Sequence, residues 1–165
     1  MYITAKEAMW FLPFVLPIML WVSYTDLKYM KIRNNAVMAL AGVFVIVGFI
    51  VLPLPDLAWR FSQLVVVLVI TFLMSIAGLI GAGDAKLAAA MAPYFVVYDG
   101  VWIMLNFALI LILSFTFHRL IRRIPAVKHA TPDWASWEHK QFPMGLALSV
   151  LLVVYLIKGA LTGAA

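Results

Sequence analysis

The sequence predicts an all-α integral membrane protein with six transmembrane helices joined by short loops, the fourth helix short and following a Gly-Ala-Gly-Asp break. Hydrophobic residues make up 66% of the 165-residue chain and charged residues only 12%, against about 45–50% and about 25% in ordinary soluble domains. The mean hydropathy is +1.06. The apolar residues fall into runs of spanning or near-spanning length separated by polar or Pro/Gly breaks, so residues 1–165 read as a single membrane-embedded domain.

The start, Met1 to Glu7, has neither a basic n-region nor a small-residue cleavage site, so the first apolar run reads as a retained span. That run, Met9 to Tyr24, has Trp10 near one end and Trp21 and Tyr24 near the other, as interfacial belts require. Pro13 and Pro17 predict kinks in it. A polar loop at about 25–35 follows, then a second span from Ala36 to Leu52, stopped by Pro53-Leu54-Pro55-Asp56. The third runs from Phe61 to Ile80. The fourth, Ala85 to Tyr98, contains Pro93 and would be about 21 Å long as an α-helix, short of a hydrocarbon core of about 30 Å. Asp99-Gly100 reads as a turn, the fifth span covers Val101 to Phe117, and the last begins at Pro143 and ends near Ile157 or Leu161. Between them lies the longest polar segment, 118–141, with Trp134, Trp137, Lys128 and Lys140. It reads either as an interfacial lipid anchor or as a substrate guide.

Orientation follows from the basic residues. With six spans, Lys28, Lys31, Arg33, Lys86, Arg119, Arg122, Arg123, Lys128 and Lys140 fall on one side, and Lys6, Arg60 and Lys158 on the other. Nine against three puts the first side, with loops 25–35, 81–84 and 118–141, in the cytoplasm. The net charge of +5 reflects these loops and gives no reason to expect nucleic acid.

From Phe61 to Tyr98 the only charged side chains are Asp84 and Lys86, inside Gly81-Ala82-Gly83-Asp84-Ala85-Lys86. A carboxylate in so apolar a setting costs several kcal/mol unless it meets water, a partner or a ligand. The glycines let the backbone leave helical geometry there. The predicted topology brings Asp26 to the same cytoplasmic depth. Taken singly, Asp84 also reads as a helix N-cap and Asp26 as a loop residue paired with Lys28 or Lys31. Taken together, they read as two carboxyl groups of which one keeps a proton and the other ionises, the arrangement that hydrolyses peptides in aspartic proteases. With no cysteine in the chain, thiol nucleophiles, disulfides and Cys-bound metals are excluded. The serines lack a nucleophile-elbow context, and His118, His129 and His139 lack ligand spacing. No metal or other cofactor is expected.

Gly81-Ala82-Gly83-Asp84-Ala85-Lys86-Leu87 resembles the Gly-x-Gly-Asp motif, with its following Lys-Leu, of the type IV prepilin peptidases. Asp26 to Asn34 resembles that family's first motif, an Asp followed six residues later by Ile-Pro-Asn, with Arg33 in place of the proline. Phe142-Pro143-Met144-Gly145 resembles the start of its last span. The resemblance implies a membrane aspartic endopeptidase with Asp26 and Asp84 as the catalytic pair. Gly81, Gly83, Lys86, Asn34, Pro143 and Gly145 would support or position the substrate, although Lys86 reads equally as an interfacial anchor. The implied substrates are type IV pilin and pseudopilin precursors, cut where a basic leader meets an apolar helix, at the cytoplasmic face of a bacterial inner membrane. The chain lacks the Cys-x-x-Cys methyltransferase region of larger relatives, and its size resembles the short peptidases of tight-adherence (Flp-type) pili. Archaeal preflagellin peptidases share the motif. Presenilin-like proteases place the partner Asp in the preceding span, which has no acid here. A proton-coupled transporter and a non-catalytic pilus-assembly protein are the readings from other classes. Oligomeric state is not legible.

Overall fold

A computed structural model describes residues 1–139 and 141–164, and Lys140 lies outside the described residues. It contains seven α-helices: α1 (Ala5–Tyr29), α2 (Asn34–Val51), α3 (Leu54–Ile76), α4 (Ala82–Met91), α5 (Gly100–Ile121), α6 (Pro125–Ala130) and α7 (Met144–Thr162). Five stretches are long and apolar enough to cross a membrane: α1, α2, α3, residues 97–121 with α5, and α7. Their outward faces carry Phe72, Leu73, Ile76, Met104 and Leu105, all exposed. So much contiguous apolar surface marks a multi-pass membrane protein.

α1 is the central post and packs along α7, with α2 beside it. Its start is a capping arrangement: Thr4 Oγ1 accepts the Glu7 N–H at 3.2 Å. The Glu7 carboxylate turns away from the helix start and accepts from Arg60 Nη2 at 2.7 Å in a largely sheltered ion pair that ties α1 to α3. The helix runs unbroken through Pro13 and Pro17 to Tyr29, past the boundary expected at Tyr24. Asp26 is therefore a helical residue, and the loop expected at 25–35 shrinks to residues 30–33. A row of apolar residues on α1 (Phe11, Val15, Met19, Val22) meets Leu40 and Phe44 of α2, Leu87, Met91 and Tyr94, and Leu152 and Leu156 of α7 in one core.

The third helix also differs from expectation, starting at Leu54 and ending at Ile76 rather than running from 61 to 80. Pro53 and Pro55 sit where a helix start tolerates them, because the first-turn N–H groups have no intrahelical partner.

The segment expected as a fourth helix over 85–98 is broken. α4 stops at Met91, single 3₁₀ turns cover Ala92–Tyr94 and Val97–Asp99, and extended backbone joins them. Its two ends lie at opposite ends of α1. Asp84 is at the Asp26 end, whereas Asp99 accepts from the Tyr2 N–H at 2.9 Å beside the start of α1. Opening the helix supplies the missing length: eight residues at 1.5 Å, six at about 2.0 Å and two at about 3.3 Å reach at most about 30 Å. Side-chain hydrogen bonds tie the segment to its neighbours, and two of the groups they satisfy, the Phe95 carbonyl and the Val96 N–H, lie at the break itself. Gln63, with its amide turned to suit its neighbours, donates to the Ala92 and Phe95 carbonyls at 3.1 Å each. Thr71 Oγ1 donates to the Ala85 carbonyl at 3.1 Å. The Val96 N–H donates to Tyr155 Oη at 3.1 Å, and Tyr94 Oη donates to the Leu40 carbonyl at 2.7 Å.

Asp99 does not sit in an open turn. It is 4% exposed and also accepts from the Ile3 N–H and Tyr155 Oη. The polar segment 118–141 is shorter than expected at its start, because α5 continues to Ile121. The rest is the short α6 and a 3₁₀ turn at Ala135–Trp137.

Candidate active site

Asp26 occupies the last turn of α1 and is 5% exposed. Its Oδ2 accepts the Gly145 N–H at 2.8 Å, at the start of α7. The first N–H groups of a helix lack intrahelical partners and carry partial positive charge, so a carboxylate from another helix satisfies both needs. This contact requires glycine. A Cβ on residue 145 would lie 2.8 Å from Asp26 Oδ2, 3.1 Å from its Cγ and 3.0 Å from Ile32 Cδ1.

Asp84 is the third residue of α4, not its N-cap, which is Gly81. Its carboxylate nevertheless folds back against that N-cap residue, as the acidic member of a capping box does. A Cβ on Gly81 would lie 2.7 Å from Asp84 Oδ2. Burial holds the Asp84 carboxyl above the ordinary carboxylate range, and the Gly81 N–H only partly offsets it.

Met30 ends α1 in left-handed geometry, with φ of 51°. This turn carries the chain back over the ends of α4 and α7. Ile32 then packs against both glycine positions, since a Cβ on Gly83 would meet Ile32 Cβ at 3.3 Å.

The two carboxylates face one cavity of about 300 Å³, lined also by Met30, Lys31, Ile32, Gly81, Gly83 and Gln141 to Met144. Asp84 also fronts an adjoining cavity of about 390 Å³ that reaches Gly78, Leu79 and Ile80 at the end of α3. Together they form a cleft in the volume range of small-ligand sites. Asp26 feels the charge of Asp84 across it, and no hydrogen bond joins the two carboxyl groups among the described residues.

Of the residues singled out in the sequence, Asp26, Gly81, Gly83, Asp84 and Pro143 line this cavity, and Gly145 supports it from behind. Asn34 and Lys86 are brought together, but with each other: Lys86 Nζ donates to Asn34 Oδ1 at 3.3 Å beside the cavity. No ion pair links Lys86 to either carboxylate among the described residues. Lining residues that the sequence did not single out for the site are Met30 and Gln141, together with Lys31, Ile32, Phe142 and Met144, which entered only as a loop charge or as members of the first and last motifs. Ile32 carried a signal, being the isoleucine of the first motif. Met30 carried none. Among the described residues no group of three or more His, Cys, Asp or Glu side chains is placed to hold a metal ion.

Two carboxyl groups facing one cavity can divide the roles, one ionised and one neutral, and so act as base and acid on the same bound molecule. The family model described as the type IV leader peptidase family matches residues 13–121, which take in both carboxylates and end before α7. No curated protein and no solved structure matches the chain.

Proposed function

Because this chain belongs to the type IV leader peptidase family, we propose that it is a membrane aspartic endopeptidase that removes basic leaders from pilin precursors, with Asp26 and Asp84 as its catalytic pair. The observation that carries this reading is the position of two carboxylates, the buried Asp26 of α1 and the half-buried Asp84 of α4, on one cavity.

In the proposed reaction the ionised carboxylate takes a proton from a water as its oxygen adds to the scissile carbonyl carbon. The neutral carboxyl gives its proton to the carbonyl oxygen, forming a tetrahedral diol. On collapse, the C–N bond breaks, the leaving nitrogen takes the proton first drawn from water, and the other carboxyl recovers its own. No metal or cofactor enters this scheme. The Gly145 N–H holds the Asp26 carboxylate in place, and the Asp84 carboxylate lies against Gly81, which supplies the fixed geometry such a reaction needs.

The substrate class we favour is a precursor with a basic cytoplasmic leader joined to an apolar helix in the bilayer, of the Flp pilin or pseudopilin type. Six crossings follow if the broken segment 82–99 counts as the fourth. Its reach from the Asp26 end of α1 to the Tyr2 end supports that count. The basic residues then favour a cytoplasmic active-site face in a bacterial inner membrane. The absence of cysteine and of any methyltransferase-like region in these residues favours cleavage without N-methylation.

The test is cleavage of a pilin precursor by purified protein in liposomes, with Asp26→Asn and Asp84→Asn beside wild type and folding followed by thermal melt. Loss of at least about 10³-fold in kcat/KM in both folded variants is expected, the scale of removing an essential acid or base. Cleavage persisting in either folded variant overturns the pair.

A further inference from the structure

A third cavity, of about 380 Å³, lies on the other side of α1 and α7 from the cleft. Leu27 and Leu146 are in its wall, each next in sequence to a residue of the Asp26–Gly145 contact, so both cavities share one depth. α5 closes one side with Phe117, His118 and Ile121.

The cover is made by the segment after α5. Val127, Thr131, Trp134 and Trp137 face the space, and the polar groups of Thr131 and Trp137 are already engaged within the segment. Trp137 Nε1 donates to the Thr131 carbonyl and hydroxyl at 3.1 Å each. Thr131 Oγ1 donates to the Val127 carbonyl at 2.8 Å. What remains toward the cavity is almost wholly apolar. The cover is pinned by a run of rings: Tyr24 edge-on to Trp134, Trp134 stacked on Trp137, and Trp137 stacked on His118 at 5.1 Å.

The rim has the opposite character. Between Asp99 and Asp133 there is no acidic residue, whereas Arg119, Arg122, Arg123 and Lys128 fall in this stretch. Ile121 in the cavity wall is followed at once by Arg122, the C-cap of α5, and Arg123, and Lys128 follows Val127 of the cover. An apolar slot with a cationic rim, at the end of a membrane-spanning helix, matches a molecule with an anionic head and a hydrocarbon tail.

We propose that this cavity holds one acyl chain of an anionic phospholipid from the surrounding bilayer, with its phosphate on Arg122 and Arg123. Charge argues against the apolar helix of a substrate: the leader joined to that helix is basic and would meet Arg122 and Arg123 as like charges.

The intact chain is tested in phosphatidylcholine vesicles containing a minor fraction of phosphatidylglycerol, with bromine on the acyl chains of one lipid or the other. Quenching at the cavity is read as the fluorescence difference between wild type and the Trp134→Phe, Trp137→Phe double variant. Bromine on phosphatidylglycerol is expected to quench this pair more strongly than the same amount on phosphatidylcholine. Replacing Arg122 and Arg123 by Gln should lower the preference about five-fold per arginine, corresponding to about 1 kcal/mol each. Replacement by Lys should retain it. Ser114→Phe, which fills the cavity, should abolish quenching by either lipid with the helical content unchanged. Equal quenching by the two lipids in wild type overturns the proposal, as does a preference that survives the double Gln variant. Displacement of the lipid signal by an apolar helical peptide also overturns it, and makes the cavity a substrate site.

Discussion

Replacing Gly145 by alanine sets two opposing effects against each other, and their sum has a sign that the geometry dictates. In an unobstructed helix, Gly→Ala stabilises by about 0.5–1 kcal/mol, because glycine loses more backbone freedom on folding. At this position the new methyl would sit 2.8 Å from Asp26 Oδ2 and 3.0 Å from Ile32 Cδ1. Neither neighbour is free to retreat: Asp26 is buried and Ile32 packs against Gly83. Overpacking of this kind costs about 1–3 kcal/mol. Weakening the Gly145 N–H contact to a charged carboxylate adds about 1.5–3 kcal/mol if the bond is lost. The net expectation is destabilisation by about 1.5–5.5 kcal/mol. Activity should fall further than stability, since a displacement of about 1 Å in a catalytic group costs about 10²-fold. The assay pairs a denaturant or thermal melt in detergent with precursor cleavage by the folded fraction. Adding Ile32→Val removes the Cδ1 methyl and should restore part of the melt but little of the cleavage, because the clash with Asp26 remains. A Gly145→Ala protein that is more stable than wild type and fully active would refute the reasoning.

Three further perturbations follow from the structure. Met30→Gly relieves a left-handed residue and should stabilise by about 1 kcal/mol; a melt shifted downward would mean that the methionine side chain's own packing outweighs its backbone strain. Asp99→Ala strips the acceptor from the Tyr2 and Ile3 N–H groups and from Tyr155, and should cost about 2–4 kcal/mol, with hydrogen exchange at residues 2–3 rising first. Unchanged exchange there would show that the N-terminal clamp is held by other contacts. Because burial raises the Asp84 carboxyl, the folded chain binds more protons than the unfolded one between the ordinary carboxylate range and the folded value. Stability should therefore fall as pH rises through that window, and Asp84→Asn should flatten this limb. A slope identical in both proteins would remove Asp84 as its source.

Much of the site was legible because its chemistry is expensive where it stands. Asp84 stands out as one of only two charges in a long apolar stretch, and the bias of Lys and Arg brings Asp26 to the same level. What the sequence did not display is how each carboxylate is held. Asp26 looked like a loop residue because Thr25 to Asn35 is polar, yet its partner is the backbone of Gly145, on the far side of five other helices. No local pattern announces such a contact. The start of α1 is marked in the sequence by Thr4 and Glu7, three residues apart as in a capping box, five residues before the span expected from Met9. Lys86 suggested a partner for the carboxylates by proximity in sequence. On α4 it lies two residues from Asp84, and residues two apart do not share a helix face; its actual partner is Asn34.

The broken fourth segment works as a gauge rod. Gln63 and Thr71 grip it at three carbonyls, and Tyr155 grips it at one N–H, each from a helix that is itself fixed in length by the bilayer. The depth of Asp84 is thus set by counting residues from these grips, as a notch on a rule is set by its distance from the stop. Removing one residue between Ala85 and Ala92 would lift the carboxylate by about 1.5 Å and swing it by about 100°, out of the plane it shares with Asp26. Evolution can therefore reshape the loops at either end of this protein, and repaint the lipid-facing sides of its helices, far more freely than it can change the length of these few alanines.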